Sequence, residues 1–191
     1  MKKILEKSTL FLHKKYDITP EILSYIKIFS APWVALLISK IISSKSLTLA
    51  ILTLLLYILA ISTDFIKEIL NKTTLHKIEK EDNVEENIFD QIIDRVFIIF
   101  ILIPFGFNLF TSLIILAESI SIFQTLYYPT HKKQINKTEK IKIILQTLLI
   151  PILILQTVTN LIPDMAVYVY IIITIIYTCM SVYSKYFYFK D

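Results

Sequence analysis

Four carboxylates are the first residues in this chain with the types and spacing for chemistry. Asp64 follows the apolar run from 47 to 63, and Glu68 comes one helical turn later. Asp90 and Asp94 are again one turn apart, in the stretch DQIID, just before the apolar run from 96 to 107. Residues four apart share a helix face, so the chain offers two carboxylate pairs on two neighbouring helices. Acids at a membrane boundary are costly unless they face water, a partner or a metal. Their oxygens suit hard divalent ions, which also bind substrate phosphates, and a bridged ion pair assists in-line phosphoryl displacement. The same acids equally fit a boundary set that pairs with Lys67, Lys72 and Arg95; spacing alone leaves the two readings level.

The elements that must position these acids are apolar and helical. The 191 residues are 55% hydrophobic and include a single glycine, Gly106. A soluble fold of this size needs more glycine for turns, whereas helices in lipid satisfy their own backbone groups. Six apolar segments run over 22–42, 46–66, 90–107, 108–128, 141–162 and 165–184, each close to the ~20 residues that span a bilayer core. The third is the shortest and spans only if its helix includes the DQIID turn. IPFGFN, with Gly106, reads as a tight turn between the third and fourth. The amino-terminal stretch MKKILEKSTLFLHKKY has apolar residues at helical spacing with charges between them, the pattern of an amphipathic helix on a membrane surface rather than a cleaved leader.

The net charge of +4 sits in connections. Lysines cluster in the amino-terminal arm, in the second-to-third connection, in the fourth-to-fifth connection and in the tail, while the alternate connections carry few charges. By the positive-inside rule both termini and all the candidate site residues face the cytoplasm. The charge is thus a topology signal, not a nucleic-acid footprint. Only Arg95 among 20 basic residues is arginine.

Other residues carry weaker signals. Lys140 and Lys142 stand at the start of the fifth segment and fit an anion site near a helix amino terminus, or plain membrane anchoring. Glu118 and Gln146 lie inside apolar segments, either as helix-packing hydrogen bonds or, for Glu118, as a functional intramembrane acid. His13, His76 and His131 are scattered in separate polar stretches without metal-ligand spacing, and the lone Cys179 excludes an intrachain disulfide.

The stretch from Asp64 to Asp94 resembles the signature of the CDP-alcohol phosphatidyltransferases, D-x2-D-G-x2-A-R-x8-G-x3-D-x3-D. Asp64 falls on the first aspartate, Asp90 and Asp94 on the third and fourth, and Lys72 on the arginine. The likeness continues along the chain in order. ITPEILSYIKIFSAPW (18–33) is similar to the family's amino-terminal segment, through Pro20, Lys27 and Pro32. ILAES (115–119) keeps Glu118 of a charged pair. EKIKIILQT (139–147) resembles a segment of the family's phosphatidylglycerophosphate synthases through Lys140, Lys142 and Gln146, and YTCMSVYSKYF (177–187) is similar to their ending. The departures are concrete: Lys67 stands on the second aspartate, Glu68 and Glu86 on the two glycines and Asn71 on the alanine, and thirteen residues separate Lys72 from Glu86 where the family has eight.

The resemblance implies a single all-α domain over 1–191, a polytopic membrane protein of six transmembrane helices with the amphipathic surface helix ahead of them. It implies transfer of a phosphatidyl group from CDP-diacylglycerol to glycerol 3-phosphate with release of CMP, a step of phospholipid biosynthesis. Asp64, Asp90 and Asp94 would hold Mg2+ or Mn2+, with Glu68 in place of the missing second aspartate, and Asp94 would also be the catalytic base. Lys27, Lys72, Lys140, Lys142 and Gln146 would bind substrate. The partners implied are CDP-diacylglycerol, a polar acceptor alcohol and membrane lipid, without nucleic acid, and a homodimer is left open. The alternative expectation is a catalytically impaired relative that binds lipid or a partner membrane protein. The two readings part at Lys67: convergent carboxylates favour the enzyme, and Lys67 in a salt bridge with Asp64 and Asp90 favours the impaired relative.

Overall fold

The computed structural model describes residues 19–74, 84–127 and 137–188. They form six α-helices: α1 (Pro20–Ser44), α2 (Leu47–Thr74), α3 (Val84–Leu102), α4 (Leu109–Tyr127), α5 (Lys137–Thr159) and α6 (Asp164–Tyr188), with a 3-10 turn at Ile103–Phe105. There is no strand among the described residues. The amino-terminal stretch expected to be an amphipathic helix, and the three histidines, lie outside them. Many of these helices are rich in Ile, Val and Thr, residues of modest helix propensity. In an apolar surround the backbone must still pair internally, and a helix does this within one segment.

Five helices are long and apolar enough to cross a membrane: Pro20–Ser44, Leu47–Lys67, Leu109–Tyr127, Lys137–Thr159 and Asp164–Ser184. That is compatible with an integral, multi-pass membrane protein. α3 is not among them, since Glu85, Glu86, Asp90, Asp94 and Arg95 crowd its amino-terminal part. It begins earlier than its apolar run suggests, taking in part of the hydrophilic 76–87 stretch, and it ends at Leu102 in the 3-10 turn.

The helix ends follow local chemistry. Thr19 caps α1 and Pro20 occupies its first turn, where a missing N–H costs nothing. Lys45 ends α1 in the left-handed conformation, its N–H donating to Ile41 O at 2.7 Å. Gly106 has φ +84° and ψ 160°, a backbone conformation open to glycine and strained for other residues. Two residues on, Asn108 Oδ1 accepts from the N–H groups of Phe110 and Thr111 at 3.0 and 2.9 Å and starts α4. IPFGFN is therefore the tight turn its composition suggests.

α1 is the hub, packing on α2, α3 and α5; α4 and α5 each pack on α6, and α3 on α4. The buried face of α1 is Leu23, Ser24, Lys27, Ala31, Val34, Ile38 and Ile41, at helical spacing. Its opposite side exposes Phe29, Trp33 and Leu36, as a lipid-facing surface does. Between apolar helices that cross a bilayer the hydrophobic effect adds little, and close packing and polar contacts are what hold a bundle together. One such contact explains a tolerated proline. Pro151 inside α5 leaves the carbonyl four residues back, that of Thr147, without its helical donor. The hydroxyl of Tyr57 on α2 donates to that oxygen at 3.0 Å. Tyr57 also stacks on Phe97 of α3, ring centroids 6.1 Å apart, which ties α2, α3 and α5 in the core.

Candidate functional site: two charge clusters divided by α3

The start of α1, the later part of α2 and the start of α3 meet at one end of the bundle, and their polar residues form the first cluster. Lys27 of α1 reaches across to both other helices. Its Nζ donates to Asp64 Oδ2 at 2.6 Å and to Asp94 Oδ1 at 2.6 Å. It also lies 5.3 Å from the centroid of the Phe97 ring, a cation–π contact. Next to it, Lys67 donates to Ser24 Oγ at 2.6 Å and to Asp90 Oδ1, and the Ser24 hydroxyl donates to Asp90 Oδ1 at 2.9 Å. The two lysines are buried, whereas the side chains of Asp64 and Asp94 are 48% and 51% exposed. Asp90 is more enclosed, at 20%.

Arg95 directly follows Asp94 on α3 and points to another set of partners. Its guanidinium donates to Ser121 O at 2.7 Å and to Thr125 Oγ1, both on α4. It lies 3.8 Å from Glu118 Oε2 and 3.5 Å from Glu139 Oε1. Glu118, 1% exposed, also pairs with Lys142 of α5 at 3.0 Å and accepts from Gln146 Nε2 at 2.6 Å. Gln146 goes on to Thr178 of α6 at 3.3 Å. This second cluster joins α3, α4, α5 and α6 with every charge matched by an opposite one, as burial in an apolar bundle demands.

The residues singled out from sequence thus divide in two. Asp64, Asp90, Asp94 and Lys27 come together in the first cluster. Lys142 and Gln146 are in the second, beside Glu118, and Lys140 is exposed on α5. The side chains of Glu68 and Lys72 lie outside the described residues. The boundary-acid pairing expected with Lys67 and Arg95 is half met: Lys67 pairs with Asp90, but Arg95 serves Glu118 and Glu139. Ser24, Thr178 and the bridging role of Lys27 are not evident from spacing. A lysine four positions into an apolar face was the available signal, since a buried cation in such a helix needs a partner.

The donor set of the first cluster can be tested against Mg2+ or Mn2+. Carboxylate oxygens are the right chemistry, but each of the three aspartates already bears an ammonium. A divalent cation bound between them would meet Lys27 and Lys67 at contact distance. Those side chains are 6% and 10% exposed, so evicting them without new partners strands buried charge, at a cost of several kcal/mol each. As these five side chains stand, the cluster does not fit a divalent ion, and the described residues include no other group of acids, histidines or cysteines suited to one.

Comparison with family models, curated proteins and solved structures finds no match for this chain. The likeness to the CDP-alcohol phosphatidyltransferases therefore rests on the residues quoted above.

Proposed function

We propose that this chain is a six-span membrane protein of the CDP-alcohol phosphatidyltransferase type that binds a phospholipid headgroup at the α1–α3 end without carrying out phosphatidyl transfer. In this reading α3 completes the sixth crossing, the amino-terminal stretch lies on the membrane surface, and both termini and both clusters face the cytoplasm. The observation that carries it is the lysine pairing of Asp64, Asp90 and Asp94. Phosphoryl transfer is largely positioning and charge neutralisation, and carboxylates already neutralised by resident ammonium groups have little left for an incoming ion. Asp64 and Asp94 keep an exposed side toward the headgroup layer, where polyol hydroxyls or amines have acceptors to bond. Two measurements test the reading. Protein purified in detergent should release no CMP from CDP-diacylglycerol with glycerol 3-phosphate and Mg2+ or Mn2+. Mass spectrometry of the same protein should find co-purified phospholipid that is lost in Asp64→Asn/Asp94→Asn.

A second reading keeps the activity: transfer from CDP-diacylglycerol to glycerol 3-phosphate, yielding a phosphatidylglycerol precursor, with Asp94 as base. It is favoured by the way Asp64 and Asp94, from different helices, meet on one Lys27 Nζ while both stay half exposed. A base needs reach to the acceptor hydroxyl, and Asp94 has an open side. This reading requires Mg2+ or Mn2+ to displace the lysines. Metal-dependent CMP release that disappears in Asp94→Asn would establish it.

A further inference from the structure

We infer that Lys27 and Lys67 are resident counter-ions of the α1–α3 cluster, and that Lys67 is the residue that keeps an external divalent cation out. The inference concerns the cluster itself and does not rest on the proposed lipid ligand. The first support is geometric. Lys27 Nζ sits 2.6 Å from carboxylates on two different helices, the bridging place an ion would need.

The second support is the difference between the two lysines. Lys27 joins acids that are about half exposed, so their charge can be met by water if the ammonium is removed. Lys67 joins Asp90, whose side chain is 20% exposed, and the contact is locked by Ser24. That hydroxyl accepts from Lys67 at 2.6 Å and donates to Asp90 at 2.9 Å, so donors and acceptors match around the triangle. Arg95, the nearest other cation along α3, is committed to α4 and to Glu118 and Glu139. With Lys67 gone, Asp90 keeps the Ser24 hydroxyl, while Lys27 is committed to Asp64 and Asp94, so a cation from solution can take the place Lys67 leaves.

The third support is linkage. A ligand that binds only the folded state raises its stability by RT ln(1 + L/Kd), with L the free ligand concentration, a gain that grows with the logarithm of free ligand above Kd. A cluster with its own counter-ions gains nothing from added cation, and one stripped of Lys67 gains it back.

The experiment follows thermal unfolding of the detergent-purified protein in EDTA and across a Mn2+ titration. Wild type should unfold at the same temperature throughout. Lys67→Met should unfold several degrees lower in EDTA and recover progressively with the logarithm of Mn2+ concentration, and Lys67→Met/Asp90→Asn should lose that response. Electron paramagnetic resonance of Mn2+ with wild type needs no variant and should show no stoichiometric bound ion. Mn2+ stabilisation of wild type that Asp90→Asn removes, a stoichiometric ion in its spectrum, or a Lys67→Met protein indifferent to Mn2+ would each overturn the inference. CMP release is a separate readout: an active enzyme that needs no divalent ion would sink the proposed function and leave this inference standing.

Discussion

The two sides of α3 handle buried charge in opposite ways. Toward α1 and α2, the cations are buried and two of the three acids are about half exposed. Toward α4, α5 and α6, an acid is the most buried group, with Glu118 enclosed by Arg95, Lys142 and Gln146. An acid held between two cations and an amide has nothing free for a ligand and fastens three helices, with Gln146 extending the network to a fourth. The outer cluster also fastens helices but leaves carboxylate surface open. The difference separates a structural network from a site, although both sit on one helix and begin at adjacent residues, Asp94 and Arg95.

The comparison can be broken by removing one group from each side. Glu118→Ala leaves Lys142 buried without its carboxylate and Arg95 with Glu139 alone, and should cost about 3–5 kcal/mol, read from unfolding in detergent; a loss under about 1 kcal/mol would mean that water reaches the network. Lys27→Met leaves Asp64 and Asp94 able to turn to solvent, so the expected loss is smaller, about 1–2 kcal/mol. If that variant proves as damaging as Glu118→Ala, the two clusters do not differ in kind. Tyr57→Phe keeps the stacking on Phe97 but deprives the Thr147 carbonyl of its donor, for about 1 kcal/mol. Tyr57→Phe/Pro151→Ala should then be less sensitive than the sum of its parts, because alanine restores the helical N–H. Asn108→Ala, at the exposed start of α4, should cost about 0.5–1 kcal/mol and leave both clusters untouched.

Much of the fold was legible because so apolar a chain has few ways to pair its backbone other than within helices. Apolar runs of near-spanning length become helices, and the glycine in IPFGFN became the turn between α3 and α4. α3 was the least legible element, since its acids belong to the helix yet interrupt its apolar pattern. Polarity inside apolar runs marked Glu118 and Gln146, and the structure joins them in one hydrogen bond. The pairing of the aspartates could not be read from spacing. Spacing fixes which residues share a face of one helix, but the partner depends on how neighbouring helices rotate and how deep each sits. Lys142 shows the same limit: its place at the start of an apolar segment fits a phosphate site, while its depth in the bundle commits it to Glu118.

The most direct test of the account is CMP release by the purified protein, given CDP-diacylglycerol, glycerol 3-phosphate and Mg2+ or Mn2+, with Asp94→Asn alongside. A cluster neutralised by Lys27 and Lys67 predicts no release above that of the Asp94→Asn protein. Metal-dependent release by wild type that Asp94→Asn abolishes would contradict it.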